Sequence, residues 1–168
     1  EEWISVWKEI LDRYEFGVVS ITGGEPLLSR ATLPVLKLLS EHVRVSMTTN
    51  LSTNVFGLVR DLPEPRGGRT GLKSITASLH PTAKAFDRDA FLGKVLYLKH
   101  NGIPISINFV GHPLQLFLAD DYKKWCQDHD VPFVLSPWYG RDNDGYEAVY
   151  TEAERSYLDR VAPAHRKS

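Results

Sequence analysis

Short apolar, β-branched runs alternate along this chain with stretches whose apolar residues recur at helical spacing. Gly17-Val18-Val19-Ser20-Ile21-Thr22 is the first run, with a hard stop at Gly23-Gly24. It reads as a buried strand. Before it, Trp3, Val6, Trp7, Ile10, Leu11 and Tyr14 form one face of an amphipathic helix over 3–15. After it, Thr32 as cap and Pro34 in the first turn start a second helix. Val35, Leu36, Leu38 and Leu39 make its apolar stripe, and Lys37 and Ser40 face water. Further strands are expected at 43–49, 73–79, 103–110 and 131–138. Helices capped by Ser52 or Thr53, and over 88–100 and 115–129, separate them. Asn101-Gly102 ends the helix at 88–100, and a last short helix spans 152–161.

Strand starts at 17, 43, 73, 103 and 131 recur every 26 to 30 residues. That is the length of a βα unit, so parallel pairing through right-handed crossovers follows. The fold class is α/β, either a partial βα barrel or an open doubly wound sheet. Both place their working loops at the carboxyl ends of the strands.

Composition narrows the function classes. The 168 residues are 42% hydrophobic and 24% charged, an ordinary globular balance in one domain. A net charge of -1 offers no field for nucleic acid or a membrane surface. No apolar run approaches the roughly 20 residues of a membrane span, and Glu1-Glu2-Trp3 shows no secretory leader. The single Cys126 leaves no intrachain disulfide and suits a reducing, cytoplasmic setting. It also leaves no metal centre built from several cysteines of this chain.

Each strand delivers polar groups at its end. These are Gly23, Gly24, Glu25 and Pro26; Thr48, Thr49 and Asn50; Ser78 and His80; Asn108; and Ser136, Trp138 and Tyr139. Such a ring of hydrogen-bonding groups over an apolar floor suits a small-molecule site. Phosphate-binding glycine motifs and a nucleophile elbow are missing. The histidines have no ligand spacing; Cys126 and Trp3 and Trp7 read as packing. Arg66 and Arg69 flank a glycine pair in a loop and read as solvated.

Ile21-Thr22-Gly23-Gly24-Glu25-Pro26-Leu27-Leu28 resembles the motif after the second barrel strand of radical S-adenosylmethionine (SAM) enzymes. Thr49-Asn50 is similar to the Thr-Asn after that family's third strand, and Ser78-Leu79-His80 to the end of its fourth. The resemblance runs over residues 17–138. It implies a partial (β/α)6 TIM-like barrel with parallel strands, lacking the first strand and cluster loop. Residues 1–150 would form the barrel core and 151–168 a helical tail. It implies SAM binding by Gly23, Gly24, Glu25, Pro26, Thr49, Asn50, Ser78, His80, Asn108 and Trp138. An intact parent with a [4Fe-4S] cluster would cleave SAM reductively to a 5′-deoxyadenosyl radical that abstracts hydrogen from an unassigned small-molecule or peptide substrate. The family's Cys-x-x-x-Cys-x-x-Cys is absent here, so no cluster ligand is named.

Two alternatives stay open. One is a degenerate, non-redox barrel that binds SAM or a nucleoside, or serves protein interaction. The other is a generic βα-barrel enzyme with Glu25 as acid or base. A barrel open at its first strand exposes an edge that a partner or further chain would cover.

Overall fold

The computed structural model describes residues 2–14, 17–62, 71–139 and 149–162. Arg66 and Arg69 lie outside the described residues, as do Arg141 to Gly145. The element order is α1 (Glu2–Arg13), β1 (Val18–Ile21), a 3-10 turn (Pro26–Leu28), α2 (Thr32–His42), β2 (Arg44–Thr49), α3 (Phe56–Asp61), β3 (Gly71–Leu79), α4 (Arg88–His100), β4 (Ile105–Gly111), a second 3-10 turn (Pro113–Leu118), α5 (Ala119–Asp128), β5 (Phe133–Pro137) and α6 (Glu152–Val161). The fold is α/β, with a five-stranded, all-parallel sheet paired in chain order. The chain divides into two compact units, Glu1–Ala77 with Asp87–Ile105, and Ser78–Phe86 with Ser106–Ser168.

In the first unit, β1 pairs with β2 from Val18↔Arg44 to Ile21↔Met47. β2 pairs with β3 from Arg44↔Gly71 to Thr49↔Ala77, with an irregularity between Val45 and Ser46. Val45, Met47, Thr49, Leu72, Ile75 and Ala77 are buried, as are Leu36 and Leu39 of α2 and Val95 and Leu98 of α4. Burying each large aliphatic chain contributes about 1.5–3 kcal/mol. The intervening residues point the other way, because side chains alternate along a strand. Ser20, Ser46 and Ser74 stand in one register row, and Thr48 and Thr76 in the next. None of these five is buried. This face of β1, β2 and β3 therefore carries hydroxyls, and the strands alternate where a sheet covered on both faces would be apolar throughout.

Several local expectations change. The α1 stripe runs through Ile4, Trp7, Ile10 and Leu11, while Val6 and Tyr14 are exposed. Ala31, not Thr32, is the N-cap of α2; the Thr32 hydroxyl donates instead to the Pro26 carbonyl. Ser40 is buried rather than facing water, and its Oγ donates to the Lys37 carbonyl at 2.9 Å. That local bond lets a hydroxyl occupy a core position. Neither Ser52 nor Thr53 caps α3; Val55 holds that place without a side-chain bond. Helix α4 matches its expected span, with Asp87 Oδ1 accepting from Ala90 N at 3.0 Å.

In the second unit, β4 pairs with β5 from Ile107↔Phe133 to Gly111↔Pro137. Ile107, Phe109 and Leu135 are buried, with Tyr122 and Cys126 of α5. The single helix expected over 115–129 is instead a 3-10 turn followed by α5. His112 caps that turn and Pro113 opens it, fixing a tighter start. Helix α6 begins on a reciprocal capping box between Thr151 and Glu154.

Candidate functional site

The Gly-Gly turn after β1 holds a conformation that glycine supplies without strain. Gly23 has φ of 95° and Gly24 of 35°. A Cβ built on either would meet no atom within 4 Å. The main chain of the turn is thus open to a ligand, and glycine is required by backbone shape rather than by crowding. Both residues are exposed.

Glu25 fixes that open turn to the rest of the first unit. Its Oε1 accepts from Leu27 N at 3.0 Å and from Thr49 Oγ1 at 2.6 Å. Its Oε2 accepts from Asn50 N at 2.6 Å. Pro26, which has no N–H to place, opens the 3-10 turn that Glu25 caps. One carboxylate therefore joins the Gly-Gly-Glu-Pro turn to the Thr-Asn end of β2. Hydrogen bonds to a carboxylate are stronger than neutral ones, about 1.5–3 kcal/mol each. Oε2 keeps acceptor capacity, since an ionised carboxylate offers about four lone-pair sites.

The Thr-Asn end is itself tightly wound. Thr49 is 1% exposed and lies on the packed side of β2. Its hydroxyl donates to Glu25 and accepts from Leu51 N at 3.1 Å. Asn50 is exposed and its Oδ1 accepts from Ser52 N at 2.8 Å. Leu51 adopts φ of 55° while its side chain is buried. The left-handed region costs a residue with a Cβ about 1–2 kcal/mol. Lys94 Nζ donates to the Leu51 carbonyl at 2.6 Å from α4. Sequence spacing gave no signal for Lys94, which is 43 residues away. On the hydroxyl side of β1 and β2, Ser20 Oγ and Ser46 Oγ lie 2.8 Å apart. An apolar cavity of about 340 Å³ lined by Trp7, Ile21, Ala31 and Val35 lies on the other side of β1.

The remaining predicted residues belong to the second unit. Ser78 is half-buried near the end of β3. His80 follows it, also half-buried, and burial lowers its imidazole pKa from the ordinary value. Asn108 Oδ1 accepts from Ser136 Oγ at 2.7 Å across β4 and β5. Trp138 is half-buried, with its ring edge-on to His112 at 5.1 Å between centroids. The backbone N–H of Trp138 donates to the Tyr150 hydroxyl at 2.7 Å. The one Tyr150 proton lies between the carbonyls of Gly111 at 2.8 Å and Trp138 at 3.1 Å. Burial raises the pKa of this phenol, as expected for a charged form without water. His112 is buried, and its Nδ1 accepts from Leu114 N at 3.3 Å. Neither His112 nor Tyr150 stood out in the sequence, where each is a lone residue in a loop.

The donor set does not fit a cysteine-ligated iron–sulfur cluster. The sequence has one cysteine. Cys126 is buried in α5, and burial pushes its thiol up to about 11. Among the described residues no group of three His, Cys, Asp or Glu side chains is placed to hold a metal ion. The Gly23-Gly24 main chain is exposed, and a Cβ on either residue would stand in open space.

No family model matches the chain. No curated protein matches it either. Among solved structures, SuiB of Streptococcus suis is similar in fold. The TM-score is 0.68 at 16% sequence identity. The alignment covers 97% of this chain and 40% of SuiB, so the chain spans about two-fifths of that protein's length. At this identity the likeness concerns the fold. No helix among the described residues is long and apolar enough to cross a membrane.

Proposed function

We propose that this chain is the SAM-binding part of a radical SAM enzyme, a portion of a parallel βα barrel. The observation that carries the reading is the three-way bond of Glu25 to Leu27, Thr49 and Asn50. Two motifs 24 residues apart, each resembling that family, converge on one carboxylate. The ligand's amino group would meet the exposed main chain of Gly23 and Gly24. Glu25 would hold that main chain in place and add negative charge beside it. Ser78, His80, Asn108 and Trp138 keep the roles the resemblance gives them, each to be tested by its own substitution.

The chain's residues do not supply cluster ligands, so its own part is binding and orientation of SAM. Hydrogen-atom abstraction belongs to a protein that joins this chain to cluster cysteines, and the substrate of such a protein is unassigned. Calorimetric titration of the 168-residue chain with SAM tests the reading. Saturable heat at micromolar to millimolar SAM supports it. Absence of heat together with an unchanged thermal midpoint at millimolar SAM rejects it.

A second reading is a non-redox barrel that binds SAM or a nucleoside, which needs only the binding groups this chain carries. A protein containing this chain and cluster cysteines that forms 5′-deoxyadenosine with dithionite would exclude that reading. Glu25 as a general acid or base has less support, because three donors already fix its carboxylate inside the fold.

A further inference from the structure

We propose that Lys94 is a positioning residue for the Gly23–Asn50 site, acting through the carbonyl of Leu51. The inference rests on the reading of that site as the place where SAM binds. Four hydrogen bonds wind the chain from Thr49 to Ser52. Two are local, Leu51 N to Thr49 Oγ1 and Ser52 N to Asn50 Oδ1, and a third joins Asn50 N to Glu25 across the strand ends. The fourth comes from α4, where Lys94 Nζ meets Leu51 O at 2.6 Å.

Leu51 is where this bond matters. Its backbone sits at φ of 55°, which a leucine adopts only when its surroundings demand it. Its side chain is 1% exposed, so the core holds one end of the residue. The Lys94 ammonium, on a four-carbon stem, reaches the Leu51 carbonyl from α4. Lys94 is half-buried on α4, and long cationic side chains can bury part of the stem while the head finds an oxygen. The chain of contacts then runs Lys94, Leu51, Asn50, Glu25 and the Gly-Gly turn. Removing the first link frees Leu51 to leave the left-handed region. Asn50 N then moves off Glu25 Oε2, and the turn that Glu25 anchors loosens.

The test uses Lys94→Met, which keeps stem length and removes the donor, and Lys94→Arg, which keeps a cationic donor. Should Lys94→Met not fold, Lys94→Gln carries the same comparison. Two quantities are read in the 168-residue chain: hydrogen exchange at the Asn50 amide against Val95 and Leu98 of α4, and SAM affinity. Lys94→Met should speed exchange at Asn50 roughly tenfold with α4 unchanged, and weaken SAM binding roughly tenfold, the lower range for groups that orient a ligating residue. Lys94→Arg should restore most of both. Equal acceleration at Asn50, Val95 and Leu98 would mean a general loss of stability and overturn the proposal. Unchanged exchange and unchanged affinity in Lys94→Met would also overturn it, leaving the SAM reading intact. Failure of the unmodified chain to bind SAM would reject the reading itself, and exchange at Asn50 would still decide whether Lys94 holds the turn.

Discussion

The ends of β1 and β2 and the ends of β4 and β5 solve the same problem with different chemistry. In the first unit a carboxylate joins two strand ends, and the turn it anchors stays exposed. In the second a phenol joins them: the Tyr150 hydroxyl takes up Trp138 N and lies against two carbonyls. Buried His112 and half-buried Trp138 stack edge to face at the same end. Both are held by neutral groups, but the phenol brings no charge, whereas the carboxylate adds negative charge beside the exposed Gly-Gly turn. The difference is one of charge: a carboxylate ties the ends of β1 and β2, and a neutral hydroxyl ties those of β4 and β5.

Glu25→Gln should break the comparison most. Its amide keeps one acceptor oxygen, so either the bonds from Leu27 and Thr49 or the bond from Asn50 are lost, and those that stay become neutral. We expect a loss of about 2 kcal/mol in urea-unfolding stability and at least tenfold weaker SAM binding by calorimetry. Gly24→Val comes next. Its φ of 35° and the open space above it mean strain without a clash. Stability should fall by about 1–2 kcal/mol, and SAM binding should fall further than that, because the new side chain fills the approach to the main chain. Tyr150→Phe sharpens the contrast from the other side. It should cost about 1 kcal/mol in stability and weaken SAM binding less than Glu25→Gln, acting only through Trp138, whose main chain it holds.

The smallest effect concerns pH. Burial depresses the His80 pKa below its ordinary 6.5, so the fold favours neutral imidazole. The unfolded chain then binds more protons, and stability rises with pH. His80's destabilising contribution should be absent well above pH 6.5, set in as pH falls through 6.5, and level off below the depressed folded value. Urea midpoints between pH 5 and 8 should show this slope in the unmodified chain, and His80→Gln should flatten it.

Much of the fold was legible because the chain keeps strict local punctuation. Gly23-Gly24 after β1 and Asn101-Gly102 after α4 set boundaries by their own chemistry. What misled was context. Thr32 looked like a cap, yet its hydroxyl reaches Pro26 in the preceding turn, which only the folded path brings near. Ser40 looked solvent-facing, yet a bond to Lys37 O makes it a core residue. The strands looked uniformly apolar, yet Ser20, Ser46 and Ser74 align across three of them into a hydroxyl row that no single strand announces. In the site, Gly23 to Pro26 and Thr49-Asn50 could be picked out separately. Their joining through Glu25 could not, since it depends on strand register. Lys94 was silent for the same reason: its partner is a backbone carbonyl with no sequence signature.

Titration of the unmodified chain and of Glu25→Gln with SAM, in parallel with urea unfolding of both, tests the central claim most directly. The account predicts saturable binding by the unmodified chain and a loss of at least tenfold in the variant, measured where both remain folded. Equal affinity in the two folded proteins, or no binding by the unmodified chain at millimolar SAM, would contradict it.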